Sequence, residues 1–472
     1  MVWVENVFQE RGYCLLKLSG EKVLVIGAGK SGVAASRFLA HKGAKVELTD
    51  IKDRSEFDSD LDTLLAEGIK LSFGSYPCVE PEKYTLVMPS PGVPLTAPPV
   101  RRARELQIPV IGELELAYRF AHAPIVAITG TNGKTTTTAL AGQIFKNAGF
   151  HTLVAGNIGI PLVEEVEKYR AGDLIIAEVS SFQLETTVDF KPRVGIILNI
   201  TPDHLDRHLT MEGYTMAKVR IFANQNPQEY CILNFDDQRT KNLAAACPGT
   251  VMFFSRTHTL QRGVFVQDNR IVVRWKEKLF PVLPVGELRI PGAHNLENAL
   301  AAVACGWAQG IGADVLARVL RDFTGVAHRL EFVAEIEGVR YVNDSKGTNP
   351  DASIKALQAY KEPVILIAGG RNKGSDFTAL ARLIKEKVRA VVLLGESAGE
   401  IERAVRAAGG TGIFRSRELK EAILLARQAA CPGDVVLLSP ACASWDMFRN
   451  YEQRGNLFKQ VVLELKEVSS RS

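Results

Sequence analysis

The sequence predicts an α/β protein of three domains, and three observations lead to this prediction. The chain has 472 residues, more than one ordinary domain holds. Short apolar runs alternate with helical patterns along most of the chain, which is typical of parallel sheets covered by helices. Changes in these patterns divide the chain into three blocks. We predict domains over residues 1–112, 113–326 and 327–472.

The first block predicts a Rossmann-like domain. The apolar run "KVLVI" is followed by "GAGKSG", by the helix-like "VAASRFLAHKG" and by a second strand, "KVELTD". Gly27, Gly29 and Gly32 match G-x-G-x-x-G, and Asp50 ends the second strand where a ribose-binding acid is expected. This pattern indicates a diphosphate at a helix N-terminus. The pattern does not decide whether the ligand is a nicotinamide nucleotide, a flavin nucleotide or a nucleotide-sugar diphosphate.

The second block opens with a glycine-lysine-threonine loop, "ITGTNGKTTTT", after the apolar run "APIVA". The loop is shorter than G-x-x-x-x-G-K-[ST], because Ile128 stands where the first glycine belongs. Lys134 can offset the charge of β- and γ-phosphates, and the Thr135 hydroxyl can bind Mg²⁺. We therefore predict a central P-loop ATPase-like domain with a mostly parallel sheet. The predicted ATP-binding loop comprises Gly130, Thr131, Asn132, Gly133, Lys134, Thr135 and Thr136.

Further candidates for the triphosphate site follow other strands of this block. Glu178 ends the apolar run "DLIIAE", and His204 lies in "LNITPDHLDRH". His204 and His208 have zinc-helix spacing, but Leu205 replaces the glutamate of H-E-x-x-H, which disfavours a zinc protease. His204 is as well explained by a hydrogen-bonding core residue as by a metal ligand. Lys218, between apolar residues, is typical of a solvated or snorkelling lysine.

The rest of the chain continues the α/β pattern. The stretch "FFSRTHTLQRGVFVQDNRIVVRW" alternates as β-hairpins do, and "HNLENALAAVACGWAQG" predicts a helix. In the third block, "VRYVNDS", "PVILIAGG", "AVVLLGE" and "DVVLLSP" are each followed by a helical pattern. We therefore predict a second Rossmann-like unit at the C-terminus.

Composition excludes several function classes. The net charge of +4 gives no reason to expect a nucleic-acid partner. Seven cysteines without a C-x-x-C pair favour free thiols in a reducing compartment. The first twenty residues lack the apolar segment of a secretory signal, and no run of about 18 apolar residues predicts a membrane span. We expect a soluble, cytoplasmic protein.

Nine stretches of the chain share features of one protein family. They are "GTNGKTTT", "AGNIG", "EVSSFQLE", "NITPDHLDRH", "YTMAKVRIF", "GAHNLENALAA", "AHRLE", "NDSKGTNPDA" and "SPACASWDMFRNYEQRG". Together they resemble the Mur ligases, which are ATP-dependent amide-forming enzymes of peptidoglycan assembly. The resemblance extends from Lys22 to about Phe458, and its final motif is the most specific. That motif, with "NDSKGTNPDA" and "SSFQLE", points to the members that add D-glutamate.

The resemblance implies an assignment for each domain. The first would bind the UDP of the sugar substrate, the second ATP and the third the incoming amino acid. It implies the small-molecule substrates UDP-N-acetylmuramoyl-L-alanine and D-glutamate and an acyl-phosphate intermediate. We expect a monomeric enzyme, although the sequence itself does not report the oligomeric state. Positions matching the uridine side are Lys30, Ser31, Asp50, Ser90, Gly92 and Asn157.

The resemblance also implies two magnesium ions. Thr135, Glu178 and His204 would be ligands, together with Lys218 as a CO₂-derived carbamate, and Lys134, His204 and Lys218 would be the catalytic residues. A carbamate is a hard oxygen ligand, which a protonated amine is not. Positions matching ATP contacts are Asn295, Arg329 and Asp344; those matching the D-glutamate pocket are Lys346, Thr348, Lys373, Ser444 and Tyr451. Position 451 is often phenylalanine in the family.

Three alternatives stay open. An NAD-dependent oxidoreductase would explain the first glycine loop but not the second. A mechanical or signalling NTPase would need no small acceptor. A sister ligase, such as another Mur ligase or a folylpolyglutamate synthase, would differ in the amino acid that the third block binds.

Overall fold

The computed structural model describes residues 18–57, 61–290 and 292–469 and contains three sheets. Each sheet lies inside one of the three predicted blocks, which confirms the predicted α/β architecture. The boundaries at 112/113 and 326/327 stay predictions. The prediction that the N-terminal segment is not a secretory signal concerns the first twenty residues, most of which lie outside the described residues. In the described ranges, no helix is long and apolar enough to cross a membrane, and six cysteines are free thiols.

The first domain has a four-stranded parallel sheet in the order β3-β2-β1-β4. Parallel strands bring their carboxyl ends to one edge, so the residues after β1, β2 and β4 share a face of the domain. The strands are β1 Lys22–Ile26, β2 Lys45–Asp50, β3 Lys70–Phe73 and β4 Leu86–Pro89; the helices are α1 Lys30–His41, α2 Leu61–Ala66 and α3 Pro98–Glu105.

Helix α4, Glu113–Phe120, joins the first domain to the second through two buried carboxylates. Glu113 Oε1 accepts a hydrogen bond from Val163 N at 2.8 Å. Glu115 accepts backbone N–H groups from Val188 at 2.8 Å and from Phe190 at 3.1 Å. Burial raises the pKa of Glu113 to about 7, although the hydrogen bonds to its carboxylate favour the ionised form and lower the pKa. The two glutamates anchor the linker to loops of the middle domain.

The middle domain has a nine-stranded sheet in the order β13-β12-β11-β10-β9-β8-β5-β7-β6. The strands β5, β7 and β8 are buried along their whole length, as expected for a sheet covered on both faces. The strands are β5 Ile125–Thr129, β6 Thr152–Gly156, β7 Leu174–Glu178, β8 Val194–Ile197, β9 Tyr230–Asn234, β10 Thr250–Ser255, β11 Gly263–Gln267, β12 Arg270–Trp275 and β13 Lys278–Pro284.

The hairpin prediction for this domain is correct only in part. Antiparallel pairing joins β11 to β12 and β12 to β13, but β10 and β11 are parallel. The helices are α5 Lys134–Asn147, α6 Leu162–Glu165, α7 Ser181–Leu184, α8 Leu205–His208, α9 Met211–Val219, α10 Gln238–Asn242, α11 Ala293–Ala308 and α12 Ala313–Asp322. The predicted helix over "HNLENALAAVACGWAQG" is confirmed as α11.

The third domain has a six-stranded sheet in the order β14-β15-β19-β16-β17-β18. Among the described strands of this sheet, the β14–β15 pair is antiparallel and the other pairs are parallel. The strands are β14 Glu331–Ile336, β15 Val339–Asn343, β16 Val364–Gly369, β17 Val388–Leu394, β18 Ile413–Arg415 and β19 Val435–Leu438; the helices are α13 Pro350–Gln358, α14 Thr378–Lys387, α15 Ala398–Ala407, α16 Leu419–Ala429 and α17 Tyr451–Ser469. Short 3₁₀ turns span Arg54–Glu56, Val166–Lys168, Arg220–Phe222, Leu243–Ala246 and Val285–Glu287.

Candidate active site

The phosphate loop lies where the strand order of the middle sheet reverses. Strand β5 pairs with β7 on one side and β8 on the other, all in parallel. The chain leaves β5 for β6 and β7 on one side and then returns to β8 and β9 on the other. Such a switch point opens a crevice at the carboxyl ends of the strands. Three sequence-predicted groups therefore meet there: the loop after β5, Glu178 at the end of β7 and the loop after β8 that carries His204.

The phosphate loop has a fixed shape. Gly133 has φ +89°, and a Cβ added there would lie 2.2 Å from Asn298 Oδ1, so glycine is required. Asn199 lies just after β8. Its carbonyl oxygen accepts a hydrogen bond from Thr131 N at 3.0 Å, and its Oδ1 accepts one from Asn132 N at 2.9 Å. These two N–H groups are thus used within the protein. The first-turn N–H groups of α5, at Lys134 to Thr136, stay available for phosphate.

Lys134 lies at the start of α5 and folds back over the loop. Its Nζ donates to the carbonyl oxygens of Gly130 and Thr131, each at 2.9 Å. Burial lowers its pKa, while Glu178 and Asp203 act in the opposite direction. A half-buried ammonium that, among the described residues, donates to carbonyl oxygens is suited to exchange one of them for a phosphate oxygen.

The residues predicted as metal ligands fit a divalent cation. Thr135 Oγ1 and Glu178 Oε2 are buried and have no hydrogen-bond partner among the described residues. Burial lowers the pKa of His204 to about 4, which keeps its imidazole neutral and able to ligate. No group of three His, Cys, Asp or Glu side chains suited to a metal occurs in the described ranges. A metal would therefore also need the threonine hydroxyl, phosphate oxygens or a modified lysine.

Lys218 lies in α9 and is only 1% exposed. The prediction of a solvated or snorkelling lysine is therefore wrong, because the side chain points under the phosphate loop. Its Nζ donates to Gly130 O at 3.0 Å and to Thr129 Oγ1 at 3.4 Å, and lies 4.5 Å from the centre of the Tyr214 ring. Burial and the nearby Lys134 hold its pKa well below the usual range for lysine. A lowered pKa favours the neutral form of the amine, which is the form that can attack CO₂.

The side chains of His204 and His208 have separate partners. His204 Nε2 lies 3.6 Å from Asp203 Oδ2, and its ring lies in a central cleft beside Lys134 and Lys218. His208 Nε2 lies 3.0 Å from Ser181 Oγ. The two histidines therefore do not form a shared metal site, although they have the helical spacing of a metal-binding pair.

A cleft of about 510 Å³ between the second and third domains carries the predicted ATP contacts, and we call it the nucleotide cleft. Arg329 lines it, and its buried Nε has no partner among the described residues. Asp344 is buried and its pKa is raised to about 6, although Arg329 and Ser439 oppose this effect of burial. The predicted residues in this wall are Asn132, Gly133, Thr136, Asn295, Arg329 and Asp344.

A second cleft, of about 930 Å³, holds most of the residues predicted for D-glutamate, and we call it the central cleft. Thr348, Lys373, Ser444 and Tyr451 line it together with Lys134, His204 and Lys218. Lys346 instead lines the neighbouring cleft, with Nζ 4.9 Å from the centre of the Tyr451 ring. Burial lowers its pKa to about 8.

The third cleft, of about 1620 Å³, lies over the first domain, and we call it the glycine-loop cleft. A Cβ at Gly32 would lie 1.8 Å from Gly27 O, whereas one at Gly29 would meet nothing within 4 Å. The third glycine thus serves helix packing and the second faces open space, as the fingerprint predicts. Asp50 Oδ2 accepts Ala28 N at 2.9 Å. The structure brings together all six uridine-side candidates here: Lys30, Ser31, Asp50, Ser90, Gly92 and Asn157.

The structure adds residues that the sequence did not single out. Asn298 donates to Asn295 Oδ1 at 3.1 Å and lines the nucleotide cleft; its spacing of three from Asn295 on one helix could have revealed it. Asn199 follows β8, so the strand-end rule that found Glu178 could also have found it. Phe182 and Trp445 line the central cleft; they lie within "EVSSFQLE" and "SPACASWDMFRNYEQRG", so the motifs could have revealed them.

Comparison with known proteins agrees with this geometry. Residues 21–112 match the family "Mur ligase MurD-like, N-terminal domain", residues 128–306 "Mur ligase middle domain", and residues 328–442 "Mur ligase, glutamate ligase domain". The UDP-N-acetylmuramoylalanine–D-glutamate ligase of Pelotomaculum thermopropionicum is 59% identical over 447 residues, which cover 95% of this chain and 98% of that protein.

A second relative and a solved structure extend the comparison. The enzyme of the same name from Thermoanaerobacter pseudethanolicus is 48% identical over 453 residues, which cover 96% of this chain and 100% of that protein. The crystal structure of MurF ligase from Thermotoga maritima in complex with ADP has a TM-score of 0.57 at 17% identity, covering 94% of this chain and 96% of that one. The chain belongs to the Mur ligase family.

Proposed function

We propose that the protein ligates D-glutamate to UDP-N-acetylmuramoyl-L-alanine at the expense of ATP, in peptidoglycan precursor synthesis. One observation carries the proposal: Asn157 and Tyr451 line both the glycine-loop cleft and the central cleft. A substrate whose uridine diphosphate lies beside Asp50 can therefore extend its reactive end to Lys134. The names of the relatives at 59% and 48% identity support the choice of substrates.

The first step activates the substrate carboxylate, which is a poor electrophile. The γ-phosphoryl group of ATP passes to this carboxylate and gives an acyl phosphate. Lys134, the first-turn N–H groups of α5 and Arg329 stabilise the charge on the phosphate oxygens as it moves. Lys134 reaches them by leaving the carbonyl oxygens of its own loop.

The second step joins the amino acid. The D-glutamate amine attacks the acyl carbon, and phosphate leaves from the tetrahedral intermediate. Lys373 and Ser444 provide an ammonium and a hydroxyl in the central cleft, which suits the two carboxylates of D-glutamate. Tyr451 and Thr348 complete this wall. Lys346, in the adjoining cleft, is close enough to the Tyr451 ring to support its position.

Thr135, Glu178 and His204 would hold magnesium, and Lys218 as a carbamate would add a further oxygen ligand. When bound, the ions would neutralise phosphate charge and orient the transferring group. The carbamate forms when the neutral Lys218 amine attacks CO₂ and releases a proton. Its burial beside Thr129 and Gly130 supports this modification, since burial lowers the pKa of the amine and so favours its unprotonated form.

The acyl phosphate must be kept from water. The nucleotide and central clefts are both formed between the second and third domains, so water is excluded only when these domains are close. We propose a cytoplasmic location, since the reaction consumes ATP, and a monomeric state. An oxidoreductase is not favoured, because the chain belongs to a family of ligases and because an oxidoreductase gives the second glycine loop no role.

Phosphate release from ATP tests the proposal. Release should require UDP-N-acetylmuramoyl-L-alanine, and amide product should form with D-glutamate but not with L-glutamate, meso-diaminopimelate or L-lysine. Product with another of these amino acids would indicate a sister ligase. Release without any acceptor would indicate a signalling NTPase.

Two variants test the assigned residues. Lys134→Ala should reduce amide formation by about a thousandfold, since it removes a charge that acts in the transition state. An unchanged rate would contradict the phosphate-loop assignment. Lys218→Ala and removal of CO₂ should both abolish most activity, and bicarbonate should restore only the CO₂-depleted wild type. Full activity in either would contradict the carbamate.

A further inference from the structure

The first turn of helix α13 in the third domain docks on two loops of the middle domain. Asn349 caps this helix, with Oδ1 accepting Ala352 N at 2.8 Å, and its Nδ2 donates to Asp203 Oδ2 at 3.1 Å. Two residues later, Asp351 Oδ2 accepts a hydrogen bond from Thr201 Oγ1 at 3.1 Å. Both Thr201 and Asp203 lie in the loop after β8, next to the predicted metal ligand His204.

Asp351 also reaches the phosphate loop itself. Its Oδ2 accepts a short hydrogen bond from Asn132 Nδ2. The backbone of Asn132 is held separately, because its N–H donates to Asn199 Oδ1 at 2.9 Å and its carbonyl accepts Asn199 Nδ2 at 3.0 Å. Asn132 thus links the two domains: its main chain belongs to the middle domain's loop and its side chain is bound by the third domain.

The charge of Asp351 is balanced within its own helix. Lys355 Nζ lies 3.0 Å from the same Oδ2 atom and also lines the nucleotide cleft. One carboxylate oxygen therefore receives an amide, a hydroxyl and an ammonium, two from the middle domain and one from the third. Such a charge-assisted cluster is stronger than neutral hydrogen bonds and fixes one relative position of the domains.

This contact is close to the predicted D-glutamate residues. Thr348 immediately precedes Asn349, and Lys373 Nζ lies 3.3 Å from Asp203 Oδ1, the carboxylate that Asn349 also contacts. A change in the docking of α13 would move Thr348 directly. It would also change the surroundings of Asp203, with which Lys373 forms an ion pair.

We propose that Asp351 is a positioning residue that ties the phosphate loop to the D-glutamate wall, so that the acyl phosphate forms only where the amine can reach it. Asp351 touches no substrate in this role. It acts through Asn132 and Thr201 on one side and through the helix that follows Thr348 on the other. The inference rests on the proposed ligase function.

Loss of this tie should uncouple the two steps of the reaction. In Asp351→Ala, the phosphate loop keeps its Asn199 contacts, so phosphoryl transfer continues. The third domain closes less often, so the acyl phosphate meets water before the amine. We expect the KM for D-glutamate to rise about tenfold, since a hydrogen bond to a charged group is lost. The KM for the uridine substrate, bound in the glycine-loop cleft, should not change.

The experiment measures phosphate released per amide formed in the full-length enzyme with ATP, UDP-N-acetylmuramoyl-L-alanine and D-glutamate. The wild type should give a ratio near one, and Asp351→Ala should exceed it. Asp351→Asn keeps an acceptor oxygen for Asn132 and Thr201 but loses the ion pair with Lys355, so it should restore part of the coupling. Asp376→Ala, which removes an exposed aspartate that accepts hydrogen bonds from Thr378 in the same domain, is the matched control.

A second variant keeps the test independent of folding. Thr201→Val removes one donor to Asp351 and should raise the same ratio more weakly, and the double variant Thr201→Val with Asp351→Ala should be no worse than Asp351→Ala alone. A ratio near one in both single variants, or additive effects in the double variant, would overturn the inference. A wild type that forms no amide would instead overturn the proposed function.

Discussion

Glu113→Gln should change how the stability of the protein depends on pH. Glu113 lies at the start of the linker helix α4, and its carboxylate is buried against Val163 N of the middle domain. Burial raises its pKa from an ordinary value of 4.5 to about 7. Since the folded protein holds this proton more tightly than the unfolded chain, Glu113 favours folding below pH 4.5, and the advantage is lost as the pH rises towards 7.

The size of the effect follows from the difference between the two pKa values. That difference corresponds to about 3 kcal/mol of unfolding free energy. Glutamine is neutral at every pH and can still accept the hydrogen bond from Val163 N. The stability of Glu113→Gln relative to the wild type should therefore rise by about this amount between pH 4.5 and pH 8.

Denaturant unfolding at a series of pH values measures this difference. Two of the four tryptophans, Trp275 in β12 and Trp307 in α11, lie in the middle domain, so part of the fluorescence change reports the domain that Glu113 contacts. Glu105→Gln, at the exposed end of α3, is the control for loss of a surface carboxylate. A constant difference between Glu113→Gln and the wild type over this pH range would refute the reasoning from burial.

Two further predictions concern the glycine loops. Gly133→Ala should weaken ATP binding in calorimetry by at least about tenfold, because the added Cβ meets Asn298 Oδ1 at 2.2 Å. The control is Gly149→Ala, which has a similar φ of +90° but open space around its Cβ and should leave the affinity for ATP unchanged. Equal affinities would contradict this. Asp50→Asn, which weakens the bond to Ala28 N, should reduce affinity for the uridine substrate roughly tenfold without changing that for ATP. A matching loss for ATP would contradict separate sites.

The parts of the site that follow local patterns could be predicted from the sequence. Gly130 to Thr136 form the loop after a strand and the first turn of the next helix, and Glu178 ends a buried strand, so topology alone brings them to one edge of the sheet. The fold class follows from the same alternation. Asn199 obeys this rule as well and could have been found by applying it to β8.

Other features depend on contacts between distant parts of the chain. Nothing around Lys218 shows that its helix passes beneath the phosphate loop, so its burial could not be inferred from composition. Asn132 and Asp351 are separated by 219 positions, and their contact exists only once two domains are packed together. Strands β10 and β11 are joined by a short connection that usually makes a hairpin, yet they pair in parallel, as β9 and β10 do.

A crystal structure with ATP and UDP-N-acetylmuramoyl-L-alanine bound together would test most directly whether the protein brings two different nucleotides to one reaction centre. We expect uridine beside Asp50 in the glycine-loop cleft, adenine beside Asn295 in the nucleotide cleft, and the substrate carboxylate next to the γ-phosphate at Lys134. Adenine in the glycine-loop cleft, with nothing bound at Lys134, would contradict the account.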